Sequence, residues 1–180
     1  MAVTKHTLVA LVEDKPGVLS RVASLFRRRS FNIESIVVGH SEIPQISRVT
    51  IVVDGATTIV EQVRKQLDKV IDVVKVSDIT GEGVIARELA LMKVKATAST
   101  RSEIMQIVDI FRANIVDVGS DSVTVEVTGD EEKINSLLNL LRGFGISELT
   151  RTGRIAMTRG VLSPLQVEKE PDTGAKRQKA

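Results

Sequence analysis

One arrangement of strands and helices occurs twice in this chain, and that repeat limits the folds available to it. Runs rich in β-branched residues alternate with amphipathic helical segments in the order β-α-β-β-α-β, once before residue 80 and once after residue 84. A local match supports the repeat, because TIVVDG at 50–55 resembles TVEVTG at 124–129 and each precedes a predicted helix. The order is that of the split-βαβ, ferredoxin-like sandwich, in which two helices cover one face of four antiparallel strands.

The periodicity locates each element of the two repeats. In the first half we predict strands at 3–12, 32–39, 45–53 and 73–78, and helices at 18–29 and 57–70. In the second half we predict strands at 88–96, 115–118, 123–127 and 146–151, and helices at 101–112 and 130–142. Helical spacing puts Leu19 and Ile59 on the buried faces of the first two helices.

The predicted class is therefore α+β, with two ferredoxin-like domains at 1–80 and 84–160. Residues 161–180 are polar and unpatterned, and we expect a disordered tail there. Because a unit of about 75 residues is marginal in stability, we expect the two halves to pack together or to dimerise.

Composition excludes several classes of function. The chain has no cysteine, which removes disulfides, thiolate catalysis and cysteine metal sites. Its formal net charge is only +2 and it contains no Trp or Tyr, so we expect no nucleic-acid partner. No apolar run approaches the roughly 20 residues that span a bilayer, and the N-terminus lacks the features of a signal peptide. We expect a soluble, cytoplasmic protein with no membrane partner.

The connection between the first strand and the first helix reads EDKPGVLS at 13–20. Proline fixes one backbone angle and the following glycine permits unusual ones, while the first helical N–H groups lack partners inside the helix. Such a turn can bind a carboxylate or a phosphate. The alternative is structural and equally well supported by spacing alone: Asp14 caps the helix and Pro16 occupies its first turn.

Asn32, at the start of the second predicted strand, extends this turn into a possible amino-acid site. If the first two strands lie close together, Asp14 and Asn32 can hold an ammonium group, while main-chain N–H groups near Gly17, Val18 and Leu19 hold a carboxylate. Gly17 would let the ligand approach the backbone closely. The corresponding segment of the second half, TASTRS at 97–102, has no Pro-Gly pair, so only the first repeat is predicted to bind.

These residues also carry a family resemblance. The segments EDKPGVLSRVASLFRRRSFNIESIVVG and ISRVTIVVDG resemble the ACT domain of the small, regulatory subunit of acetolactate synthase (acetohydroxyacid synthase). In the second half LMKVKA, IFRANIVDVGSDSVTVEVTG and RTGRIAMTRG extend the resemblance, which covers roughly residues 3–160.

The resemblance implies a non-catalytic subunit that activates a catalytic partner and confers feedback inhibition by a branched-chain amino acid, typically valine. It implies a homodimer of ACT domains with the effector at their interface, and no cofactor in this chain; thiamine diphosphate, Mg²⁺ and FAD belong to the catalytic subunit. The effector-binding residues it implies are Asp14, Lys15, Pro16, Gly17, Val18, Leu19, Asn32 and Ile33. Some relatives have Asn at position 14.

Two other functions compete with this one. The chain can be a free-standing ACT-domain sensor that acts on a different partner. An acylphosphatase-like enzyme of the same fold needs an arginine in the loop after the first strand, where this chain offers only Lys15.

The remaining charged side chains are less informative. The arginines at 27–29 can form a partner surface, although such a run is more typical of a solvated helix end. His6 and His40 lack the spacing of metal ligands.

Overall fold

The computed structural model of the protein describes residues 5–28, 31–81, 83–160 and 165. The first half contains β1 (Lys5–Glu13), α1 (Val18–Arg28), β2 (Ile33–His40), β3 (Ile46–Asp54), α2 (Thr57–Leu67) and β4 (Val73–Asp78). The second half contains β5 (Val84–Lys95), α3 (Arg101–Ile110), β6 (Asn114–Val118), β7 (Ser122–Gly129), α4 (Glu131–Leu141), a 3₁₀ turn (Arg142–Phe144), β8 (Ile146–Arg151) and β9 (Ile155–Thr158).

Each half forms an antiparallel sheet with two helices packed on one face. The strand order is β2-β3-β1-β4 in the N-terminal sheet and β6-β7-β5-β8 in the C-terminal sheet. Alternate residues of the central strands meet the helices, as Leu8 and Ile51 do in the first core and Met92 and Val125 do in the second. The predicted pair of ferredoxin-like βαββαβ domains is confirmed.

Strand β1 is buried on both faces, and this position explains its uninterrupted apolar run. One face contributes to the helix-side core, while Val9 and Leu11 on the other face pack with Ile79, Ala156 and Leu165. Ala156 belongs to β9, which pairs antiparallel with the first four residues of β5. The C-terminal domain therefore packs this pair of strands against the open face of the N-terminal sheet.

Several sequence-based boundaries differ from the structure. Strand β9 was not predicted, and β5 begins four residues before the predicted start at 88. Helices α2 and α3 end before the predicted 70 and 112; Arg112 adopts a left-handed φ of 48° just beyond α3. The assignment of Leu19 and Ile59 to buried faces was wrong, because both are exposed, and Val60 occupies the core position instead of Ile59.

Residues 3, 4 and 29, at the ends of the first predicted strand and helix, lie outside the described residues. So does the predicted disordered tail at 161–180, with the exception of the buried Leu165. Among the helices that the structure describes, none combines the length and apolar character needed to cross a membrane. The domain limits at 80 and 84 stay predictions.

Candidate functional site

The turn between β1 and α1 is held at the end of the N-terminal sheet by main-chain hydrogen bonds. The N–H of Glu13 donates to the carbonyl oxygen of Asp72 at 2.9 Å, and the N–H of Asp14 donates to that of Gln45 at 2.8 Å. Gly17 then adopts φ 89°, a left-handed conformation that favours glycine, and α1 begins at Val18. The Pro-Gly pair thus reverses the chain directly into the helix.

Three main-chain donors at this turn are open to a ligand. Among the described residues, no acceptor pairs with the N–H groups of Gly17, Leu19 or Ser20, whereas the N–H of Val18 lies 3.4 Å from the carbonyl oxygen of Lys15. A Cβ added at Gly17 would meet no atom within 4 Å, so the space above this residue is empty. The glycine is needed for its backbone angle, and the site resembles an anion-binding helix N-terminus.

The charged side chains of the turn pair with other side chains. Within the part of the chain that the structure describes, Asp14 accepts no hydrogen bond from that turn, so the capping interpretation is wrong; its Oδ2 lies 3.4 Å from Nδ1 of His40. The Lys15 ammonium contacts Oε2 of Glu13 at 2.7 Å, and this hydrogen bond raises the pKa of Lys15. Pro16 and Leu19 are exposed, and Val18 is buried in the helix-side core.

Asn32 and Ile33 lie at the opposite end of the sheet from this turn, so the expectation that Asp14 and Asn32 meet within one chain was wrong. Strand β3 lies between β1 and β2, and the register aligns Ile33 with His6 through Val53. Asp14 follows the far end of β1, about nine residues away, which corresponds to about 30 Å.

Two groups at this turn were not predicted from the sequence, the side chain of His40 and the main-chain N–H of Ser20. His40, at the end of β2, is the residue that reaches the carboxylate of Asp14. Ser20 supplies an additional open N–H, a donor that the rule of four unpaired N–H groups at a helix start could have indicated.

The corresponding turn of the second domain forms hydrogen bonds of its own. The hydroxyl oxygen of Thr100 accepts the N–H of Thr97 at 2.9 Å, and the Thr97 carbonyl oxygen accepts the N–H of Arg101 at 3.0 Å. The guanidinium of Arg101 donates to the carbonyl oxygens of Gly119 and Ser120 at 2.8 and 3.0 Å. Among the described residues, the N–H groups of Ser102 and Glu103 at the start of α3 have no acceptor, as is the case for Leu19 and Ser20 at the start of α1. The two turns therefore differ in the Pro-Gly pair and in the left-handed Gly17, and the expectation that only the first repeat binds stays a prediction.

Known proteins resemble this chain in both halves. The model of an AHAS small subunit-like ACT domain matches residues 8–75, and the model of the small subunit of acetolactate synthase matches residues 87–160. The probable acetolactate synthase small subunit of Archaeoglobus fulgidus is 56% identical over 156 residues, which are 87% of this chain and 98% of that protein. The acetolactate synthase small subunit of Bacillus subtilis is 49% identical over 87% of this chain and 91% of its own length.

A solved structure shares the whole arrangement of the described domains. The crystal structure of the acetolactate synthase small subunit from Thermotoga maritima superposes with a TM-score of 0.82 and 42% identity. It covers 88% of this chain and 99% of its own length, so the likeness includes both ferredoxin-like domains. The chain belongs to the family of acetolactate synthase small subunits.

Proposed function

We propose that this chain is a regulatory subunit that binds a branched-chain amino acid, valine first among them, and transmits its occupancy to a catalytic acetolactate synthase subunit. The observation that carries the proposal is the turn at Gly17, where three N–H groups have no acceptor among the described residues and where a Cβ on the glycine would meet open space. The second domain has the same fold, but its corresponding turn has neither a Pro-Gly pair nor a left-handed glycine.

A second copy of the chain supplies the missing half of the site. Strand β2 is the edge of the N-terminal sheet, and it exposes Ile36 and Val38. If two β2 strands pair antiparallel about a two-fold axis, the start of each lies beside the end of the other. Asn32 of one copy would then lie near His40 of its partner, whose ring lies 3.4 Å from the Asp14 carboxylate of the same chain. The proposed pairing thus brings Asn32 of one copy close to Asp14 of the other and forms a homodimeric site.

The groups at this interface match the chemistry of an amino acid. The N–H groups of Gly17, Leu19 and Ser20 suit the carboxylate, since a helix N-terminus favours negative charge. The Asp14 carboxylate and the Asn32 amide oxygen suit the ammonium. The exposed side chain of Leu19, which the core does not use, offers an apolar contact for an aliphatic side chain.

Binding is tested by isothermal titration of the purified protein with valine, using leucine, isoleucine and lysine for comparison. Asn32→Ala or Gly17→Asp should abolish saturable valine binding and feedback inhibition while leaving activation of the catalytic partner largely intact. Asn114→Ala is the matched control, because Asn114 occupies the corresponding place in the second repeat, where its amide donates to Glu126 at 3.2 Å. Unchanged inhibition curves for the two site variants would refute the assignment.

The partner is tested by assembly. We propose that the catalytic subunit, which holds the thiamine diphosphate, Mg²⁺ and FAD, co-purifies with this chain and becomes more active in its presence. Binding of valine without any association with that subunit would favour a free-standing sensor instead.

A further inference from the structure

The loop between β8 and β9 lies directly against strand β2 of the other domain. Gly153 adopts φ 84°, and a Cβ added there would lie 2.5 Å from Oγ of Ser35 and 3.0 Å from Cγ2 of Val37. The N–H of Arg154 donates to the Ser35 hydroxyl at 3.3 Å. The glycine therefore allows a close main-chain approach, because a side chain at this position would require the Ser35 hydroxyl and either the loop or β2 to move.

Three charged side chains connect the two domains beside this loop, and we call Lys5, Glu131 and Arg154 the interdomain cluster. Glu131, in the first turn of α4, accepts from Arg154 and from Lys5, each at 2.7 Å. Lys5 at the start of β1 also contacts Glu34 of β2, and the Arg154 guanidinium lies 3.5 Å from the hydroxyl of Thr7. All three side chains are partly buried, so solvent weakens these pairs less than exposed ones.

The interdomain cluster lies at the same end of the N-terminal sheet as Asn32. Glu34 and Ser35, which the cluster and the loop contact, follow Asn32 by two and three residues on the same strand. An open cleft of about 600 Å³ lies beside the interdomain cluster; Lys5 lines it from the N-terminal domain, and Glu131 and Arg154 are among the residues that line it from the C-terminal domain. Directional polar contacts therefore join the two domains at this edge, in addition to the apolar contacts between β1 and Ala156.

We infer that the interdomain cluster and Gly153 couple the position of the β2 start to the orientation of the C-terminal domain, with Arg154 as the positioning residue. This inference rests on the proposed function, because it assigns the route by which an amino acid bound at Asn32 influences the rest of the subunit. Coupling requires a contact that differs between the effector-bound and free states. Charge-assisted hydrogen bonds meet that requirement, since a displacement of about 1 Å takes them beyond their normal length.

The test uses the full chain reconstituted with its catalytic subunit. Arg154→Ala and Glu131→Gln should leave valine affinity of the regulatory chain within about threefold of wild type. They should raise the concentration for half-inhibition about tenfold, within the usual range of allosteric coupling. Arg154→Lys should recover part of the loss. Arg64→Ala is the matched control, because Arg64 forms an arginine–carboxylate pair with Glu61 on α2, inside one domain.

Hydrogen exchange gives a readout that a purely structural role would not change. In wild type, valine should slow amide exchange in α4 and in residues 152–154, and this response should disappear in Glu131→Gln, which preserves side-chain shape. If valine binds to wild type and inhibits it, but also inhibits both variants equally well, the coupling is overturned and the proposed function stands. Failure of wild type to bind any branched-chain amino acid would overturn the proposed function and the coupling with it.

Discussion

Replacing Gly153 with alanine tests the closest approach between the two domains. The residue adopts φ 84°, where an L side chain costs about 1–2 kcal/mol. The substitution also adds a methyl group 2.5 Å from Oγ of Ser35 and 3.0 Å from Cγ2 of Val37. Gly83 separates these two effects, because its φ is 82° and a Cβ there would meet nothing within 4 Å.

The two substitutions therefore share the conformational cost and differ in the steric one. Rotation of the Ser35 hydroxyl away from the methyl group gives up the hydrogen bond from the Arg154 N–H, worth about 0.5–1.5 kcal/mol. Val37 is β-branched and fixed in a strand, so the loop or β2 must move, and such overpacking costs about 1–3 kcal/mol. Because the two costs add, we expect Gly153→Ala to destabilise the protein by about 1.5–4.5 kcal/mol more than Gly83→Ala.

Equilibrium denaturation of the two variants and of wild type measures this difference. In a Ser35→Ala background the excess should fall, because the contact at 2.5 Å is removed while the one with Val37 remains. Equal destabilisation by Gly153→Ala and Gly83→Ala, within about 0.5 kcal/mol, would refute the close contact between the loop and β2.

Two further predictions concern the start of α4. Asp130→Ala should cost about 1 kcal/mol in chemical denaturation, because Oδ1 of Asp130 accepts the N–H of Lys133 at 2.8 Å as the helix cap; an unchanged midpoint would contradict that role. The hydrogen bond from Lys5 lowers the pKa of Glu131 below its usual 4.5, so its ionised form stabilises the folded state above that pH. The stability advantage of wild type over Glu131→Gln should therefore be present at neutral pH and decline as the pH falls through the lowered pKa; a pH-independent difference would exclude the pair.

The two repeated domains were predictable because their signals are local. Helices such as α3 and α4 carry their buried residues at helical spacing, and β7 alternates buried with more exposed residues. Strand β9 has no such signal, since it is four residues long and forms by pairing with the early part of β5, some 70 residues earlier along the chain. Only the continuous apolar run of β1 indicated that something covers its second face.

The error about Asp14 and Asn32 has a topological cause. In a βαββαβ sheet the first and second strands run parallel on either side of the third, so the end of β1 and the start of β2 lie at opposite ends of the sheet. Spacing along the sequence locates the turn, but the neighbours of its side chains depend on the order and direction of the strands. The contact between His40 and Asp14 could not be predicted from the sequence, because it depends on β2 running parallel to β1 and ending beside the turn.

Strand β2 is the element through which effector binding and domain orientation can influence each other. Strand β2 is the edge of the N-terminal sheet, its start carries Ile33 next to Asn32, and its side on the open face of the sheet contacts the loop at Gly153. Main-chain hydrogen bonds to β3 follow it to His40, so a displacement at one end is resisted along the whole strand. In the proposed dimer, a ligand bound between two copies would therefore act on a strand that also touches the C-terminal domain.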